Sequence, residues 1–235
     1  MMFLHDILYH PATAMIVTIG SFLAAQWFQK KMGGHPLLNP VVMAIFMVVI
    51  YLIATDIPYA DYLQNVNLIH ALLGPATVAL AIPLYHQFET IKRSAPALLC
   101  TVIACSIIAA GVAYYLAGLM GAGDDIRLAI MPKSTTTPIA IGIAEKINAD
   151  TSLAVFFLFT TGIIGTLIAT TLFKLVRIKD DKAIGLALGV TCHGLGVARA
   201  LQHSEKAGAF AALGMSLMGI ISGILIPVAV IILYT

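Results

Sequence analysis

The chain has 235 residues, 60% of them apolar and only 10% charged, where a soluble domain carries about 25% charged residues. Thirteen Lys and Arg with eleven Asp and Glu cannot coat a globule of 24.9 kDa, and a mean hydropathy of +0.97 points to lipid as the solvent. The same figures exclude a disordered chain, which needs low hydrophobicity and high charge. The net charge of +2 excludes a nucleic-acid binder run by a basic face.

Windows free of Asp, Glu, Lys and Arg follow one another along the chain. They are Ile7–Gln29, Met32–Thr55, Tyr62–Phe88, Ser94–Gly123, Thr151–Phe173 and Ala207–Thr235. Each exceeds the roughly 20 residues a helix needs to cross the hydrocarbon core. Two more, Ser134–Ala144 and Ala183–Ala198, are shorter. A backbone in lipid must bond to itself, so the spanning windows are expected to be helices. The N-terminus, Met1-Met2-Phe3-Leu4-His5-Asp6, lacks the basic stretch of a signal peptide, and the first window is expected to be retained. Proline and glycine interrupt the windows at Pro36–Pro40, Gly74-Pro75, Pro83, Pro132, Pro138, Gly189, Gly194 and Gly196. Such breaks are tolerated where protein or a wet cavity receives the freed backbone groups.

Basic residues mark the cytoplasmic side. Lys30-Lys31, Lys92-Arg93 and the group Lys174, Arg177, Lys179 and Lys182 form basic loops, whereas Asp56 with Asp61 and Asp124-Asp125 form acidic ones. Four crossings bring the chain outside near Asp124, and an odd number must return it inside near Lys174. Thr151–Phe173 supplies one. Parity therefore makes Ile126–Asn148 a hairpin that enters and returns, with its turn at Lys133 to Pro138. The expectation is an all-α polytopic membrane protein of about seven transmembrane helices plus a re-entrant hairpin, one domain over residues 1–235. Whether Ala183–Gln202 crosses is open: a crossing puts Thr235 inside, a re-entrant segment puts it outside. Gly74–Gln87 can also be laid over Gly189–Gln202 at an offset of 115. That pairing suggests an inverted repeat whose broken helices meet near the midplane.

Two constellations carry candidate chemistry. Lys133 is followed by the hydroxyls Ser134, Thr135, Thr136 and Thr137, and then by Pro138. An ammonium deep in a bilayer usually marks a pathway or a paired ion. Hydroxyls, a cation and a helix N-terminus together suit a small carboxylate. The bland alternatives are a lysine that snorkels and hydroxyls that only satisfy a bent backbone. The second constellation is His193-Gly194-Leu195-Gly196 with Arg199. Its glycines permit unwinding, Arg199 can pair with a carboxylate, and His193 can carry a coupling proton. Against this stand a bonded core histidine and a juxtamembrane anchor. Asn39 either bonds across helices or caps the next one, and capping is the stronger reading.

No nucleophile elbow, HExxH or phosphate loop occurs, so an enzyme is not expected. Cys100, Cys105 and Cys192 form no CxxC pair and read as packing residues. Neither a cofactor nor a metal site is expected.

The segments Met131–Ala140 (MPKSTTTPIA), Thr191–Ala200 (TCHGLGVARA), Pro36–Pro40 (PLLNP) and Gly74–Gln87 together resemble the LrgB/CidB family of bacterial membrane proteins over nearly the whole chain. The chain departs from the family pattern at Thr135, where valine is expected, and at Val197, where threonine is. The resemblance implies the bacterial cytoplasmic membrane and two competing functions. One is carriage of small carboxylates of the glycolate, glycerate or pyruvate class, with proton or sodium coupling. The plastid glycolate/glycerate transporter looks like an LrgA-type half fused to an LrgB-type half. The other is a holin/antiholin-like role in murein hydrolase export and lysis, acting with a small LrgA/CidA-type partner. A homo-oligomer, or a structural subunit whose partner holds the site, remains open. The Lys–hydroxyl turn favours the carrier, because a lesion-forming oligomer has no use for it.

Overall fold

The computed structural model describes residues 9–33, 38–72, 75, 78–79 and 81–234. Among the described residues there are eleven helices. These are α1 (Pro11–Lys31), α2 (Pro40–Thr55), α3 (Tyr59–Asn65), α4 (Asn67–Ala71), α5 (Ala81–His86), α6 (Phe88–Leu119), α7 (Asp124–Ala129), α8 (Thr137–Lys146), α9 (Thr151–Leu175), α10 (Asp181–His203) and α11 (Glu205–Tyr234). The chain divides into two compact units, Met1–Ala81 and Ile82–Thr235.

In the first unit Pro11 and Pro40 stand at the first turns of α1 and α2, where their missing N–H is no loss. Asn39 caps α2, accepting from the Val41 and Val42 amides at 2.9 and 3.4 Å. The start of α1 packs on the end of α2 and on α3. Ala14, Ile57, Tyr62 and Val66 form this core, and Thr18 and Tyr62 share a hydroxyl bond of 2.6 Å. Between α2 and α3 the chain bends by 119°. Within the third window the described helices are α3, α4 and α5. Pro36 and Leu37 of the PLLNP segment lie outside the described residues. So do Gly74, Ala76, Thr77 and Leu80, from the first half of the expected repeat.

The second unit is built on three long helices. α6 and α11 run parallel, with partners 116 positions apart along most of the contact and 120 apart at its end. Val102 packs with Met218, Ser106 bonds Ser222 at 2.8 Å, Ala110 packs with Ile226, and Tyr114 reaches Tyr234 at 3.1 Å. The buried residues Leu98, Val102, Ser106, Ala110 and Tyr114 recur every four positions, which is one face of a helix. Small residues and hydroxyl pairs drive such packing in lipid, each hydrogen bond contributing about 0.5–2 kcal/mol. At the basic end His86 bonds Glu205 at 2.7 Å, and Glu89, Arg93 and Lys182 line one recess. At the other end Asp124 interacts with Tyr234. By the positive-inside rule the first end is the expected cytoplasmic one.

Two segments of this unit enter and turn back. The first is α7, a turn over residues 130–136, and α8. Asp124 interacts with Tyr234 at its start, and Lys146 and Asn148 line a recess with Tyr234 at its finish. Ile139, just past the turn, lies against Gly219, halfway along α11. At 1.5 Å per residue the ten-residue α8 is about 15 Å long, half the hydrocarbon thickness. This is the hairpin expected from parity.

The second is α10, which also looks long and apolar enough to cross. A straight helix of its 23 residues would separate its ends by about 33 Å. Instead, Asp181 at its start bonds His203 at 3.2 Å and Ser204 at 2.9 Å. The reversal sits at His193, whose φ of 44° and ψ of −132° leave the helical region. Across it the arms nearly touch: a Cβ on Gly196 would strike the Leu188 carbonyl. The arm Asp181–Cys192 then lies parallel to the start of α11, with Gly185 against the Ala207 carbonyl and Gly189 against that of Ala211. This segment is re-entrant from the cytoplasmic end, and Tyr234 ends at the Asp124 side.

Five described helices are long and apolar enough to span, six if the bent α2–α3 pair counts as one, and α10 among them folds back. The internal repetition in the second unit is a hairpin followed by a span, once as α7–α9 and again, inverted, as α10–α11. The pairing expected at an offset of 115 residues takes its first half from Gly74–Gln87, part of which lies outside the described residues.

Candidate functional site

The tips of the two hairpins approach each other from opposite sides against the middle of α9. Its cap is Asp150, which accepts from the Leu153 amide at 2.8 Å. About 12 Å further along, the Leu158 carbonyl accepts a 3.1 Å bond from His193 Nε2. Since a carbonyl only accepts, Nε2 carries the proton. The His193 ring and the Cys192 thiol occupy the places that side chains on Gly162 and Gly165 would fill. His193 thus pins the second tip to α9. It is 5% exposed and has the position of a bonded core histidine.

The first tip holds Lys133. Its ammonium lies within electrostatic reach of Cys192 on the second tip. It also lines a groove of about 710 Å³ whose other walls are apolar, including Ile108 and Val112 from α6, Ile126, Ile130 and Phe157. Its hydrogen-bond partner is the Ser134 hydroxyl at 3.4 Å. Among the described residues no carboxylate comes within ion-pair distance of Lys133.

The four hydroxyls after it divide. Thr135 is 1% exposed and donates to the Pro132 carbonyl at 2.8 Å, closing the turn. Ser134 is buried beside Lys133. Thr136 occupies the N-cap position of α8 but its side chain makes no cap bond. Thr137 opens α8 ahead of Pro138. Ser134, Thr136 and the first turn of α8 therefore keep hydrogen-bonding capacity beside a cation.

Arg199 is not brought to Lys133. It lies six residues past the second tip, about 9 Å along the returning arm. There its guanidinium donates to Gln202 at 3.1 Å and to Thr170 at 3.2 Å. Thr170 is twelve residues, about 18 Å, beyond Leu158 towards the cytoplasmic end of α9. Gly194 is exposed at the second tip. Gly196 serves close approach of the arms, and Val197 is buried in the core. Asn39 acts as the cap of α2 in the first unit.

Sequence reasoning missed α9 as the wall of the site. Its signal was the pair Gly162 and Gly165 within an apolar window, since small residues let another backbone approach. It also missed Gly185 and took Gly189 for a break, where the two form a GxxxG spacing that seats α11.

A family model described as the LrgB-like family matches residues 18–232. The chain belongs to the LrgB-like family. Curated relatives agree over nearly full length. A protein of Staphylococcus epidermidis named holin-like protein CidB is 29% identical over 227 residues, covering 96% of this chain and 99% of that one. Its namesake in Staphylococcus aureus is 28% identical, covering 94% and 96%. The uncharacterized protein YxaC of Bacillus subtilis is 32% identical, covering 92% and 94%. No solved structure matches. With its apolar helices and these relatives, the chain is a multi-pass bacterial membrane protein.

Proposed function

We propose that this LrgB-like protein carries small carboxylates of the glycolate, glycerate or pyruvate class across the cytoplasmic membrane. The observation that carries the reading is Lys133: a cation without a carboxylate partner among the described residues, at a re-entrant tip facing an opposed tip. Such a charge at the bilayer centre costs about 3 kcal/mol on insertion scales. A mobile anion offsets that penalty. Ser134, Thr136, Thr137 and the start of α8 supply donors for its oxygens. Thr135 closes the turn and His193 holds the facing tip. Opposed broken segments at mid-membrane are where secondary transporters bind substrate. Coupling to a proton or sodium, and an LrgA/CidA-type partner, belong to this proposal.

The names of the staphylococcal relatives favour a second reading, a holin-like role in murein hydrolase export and lysis. The two part in one assay. Protein in liposomes, alone and with an LrgA-type partner, is given radiolabelled pyruvate, glycolate, glycerate and sucrose. The carrier reading predicts saturable uptake of a carboxylate and exclusion of sucrose. Leakage of all four solutes at similar rates would establish the holin-like reading instead.

A further inference from the structure

The base of the second hairpin holds a cavity of about 240 Å³. Arg199, Lys174, Gln202, His203 and Thr170 supply its polar groups, and Phe173 and Leu188 belong to its apolar lining. No acid is among the residues that line it. Of the acids at this end of the hairpin, Asp181 is bonded to His203 and Ser204, Asp180 caps α10 by accepting from the Lys182 amide, and Glu205 is paired with His86. Arg199 donates two hydrogen bonds, both to neutral side chains, out of the five a guanidinium offers in a planar fork. Among the described residues it has no carboxylate within ion-pair distance. An anchoring arginine would extend into bulk water. This one is half-buried and tethered by Thr170 and Gln202 at the cavity wall.

We infer that this cavity is a second anion site, separate from the turn at Lys133, which holds a small oxyanion at the cytoplasmic mouth. The occupant is a carboxylate insofar as the proposed carrier function holds. The fork of Arg199 takes two oxygens side by side, Lys174 adds a second cation, and the apolar lining accepts a short carbon chain. The returning arm of the second hairpin joins this site to its tip. An anion would therefore meet Arg199 before it reaches Lys133 from the cytoplasmic side.

The shared chemistry is an oxyanion, free in solution or on a lipid headgroup, and thiol labelling separates the sources. Phe173→Cys places a thiol in the cavity of the full-length protein, with exposed Cys100 changed to serine. Ile178→Cys, also in the lining, is the second reporter should the first misfold. In inside-out vesicles, a sulfonate-bearing and a trimethylammonium-bearing methanethiosulfonate are compared at each thiol, with free 2-mercaptoethanol as reference. A cationic cavity favours the anionic reagent by about fivefold or more over that reference. Arg199→Gln removes the preference and Arg199→Lys restores part of it. Millimolar pyruvate or glycolate slows labelling when Arg199 is present. Equal rates for the two reagents at both positions, or a preference that survives Arg199→Gln, would overturn the site. Protection by inorganic phosphate but not by the carboxylates would overturn the carboxylate assignment. Slow labelling in phosphatidylglycerol vesicles, fast labelling in phosphatidylcholine and no effect of pyruvate would give the cavity to a headgroup. The readout needs no transport, so failure of the carrier function and failure of this site are told apart.

Discussion

Single residues divide here into those that build the turns and those left to face a ligand. Thr135 belongs to the first group: its hydroxyl closes the turn onto Pro132. Thr135→Val, the residue the family pattern leads one to expect, should cost about 1 kcal/mol and leave uptake within about twofold. Thermal unfolding in detergent and an uptake curve check both parts. Gly162 belongs to the same group, because a methyl there would enter the space of the His193 ring. Gly162→Ala should destabilise by about 1–3 kcal/mol and loosen the second tip, read as faster alkylation of Cys192, which is buried in the native protein. His193 shows why sequence alone left this region ambiguous. Its chemistry suggested proton coupling, whereas its position depends on a positive φ and a carbonyl 35 residues away. Neither is visible in the order HGLG. The separation of Arg199 from Lys133 was equally hidden, since two cations in two motifs carry no record of their depth.

At the scale of elements, the two hairpins were unequally legible. The first could be deduced because charges flank it: Asp124-Asp125 before it and the basic group after α9 fix the parity. The second has charges on both sides, Lys182 before it and Arg199, Glu205 and Lys206 after it, but Arg199 belongs to the HGLG constellation itself and reads equally as a buried ligand. Ala183–Ala198 is free of charge and helical in composition, and its reversal needs only one residue with non-helical angles. Cysteine labelling tests both. Asp124→Cys and Asn148→Cys should react from outside, and Lys182→Cys and Gln202→Cys from the cytoplasm. Gln202→Cys reacting from outside would make α10 a crossing. The seam between α10 and α11 rests on Gly185 and Gly189, which lie against backbone carbonyls of Ala207 and Ala211. Gly189→Leu should therefore lower Tm by several degrees or prevent folding, because a rigid backbone cannot yield as a flexible side chain does. A Tm equal to wild type would show that the helices do not approach so closely.

For the whole molecule, composition identified the solvent, and the family resemblance is matched by a family model over most of the chain. Long apolar windows can be used in two ways. They can span, or they can turn back around a protein-lined centre where irregular backbone is tolerated. In the second unit three spans hold two hairpins of opposite direction. An uncompensated lysine stands where the tips meet, and an uncompensated arginine stands nearer the cytoplasm. Such a frame suits a solute that is anionic, small and released to either side. The most direct test is saturable uptake of radiolabelled pyruvate or glycolate into liposomes by the wild-type protein and by Lys133→Ala and Lys133→Arg, each shown to be folded by its Tm. Uptake that falls by about a hundredfold in Lys133→Ala, the effect of losing about 2.7 kcal/mol of charge pairing, and recovers in part in Lys133→Arg is the predicted result. Saturable uptake unchanged in Lys133→Ala would contradict the account.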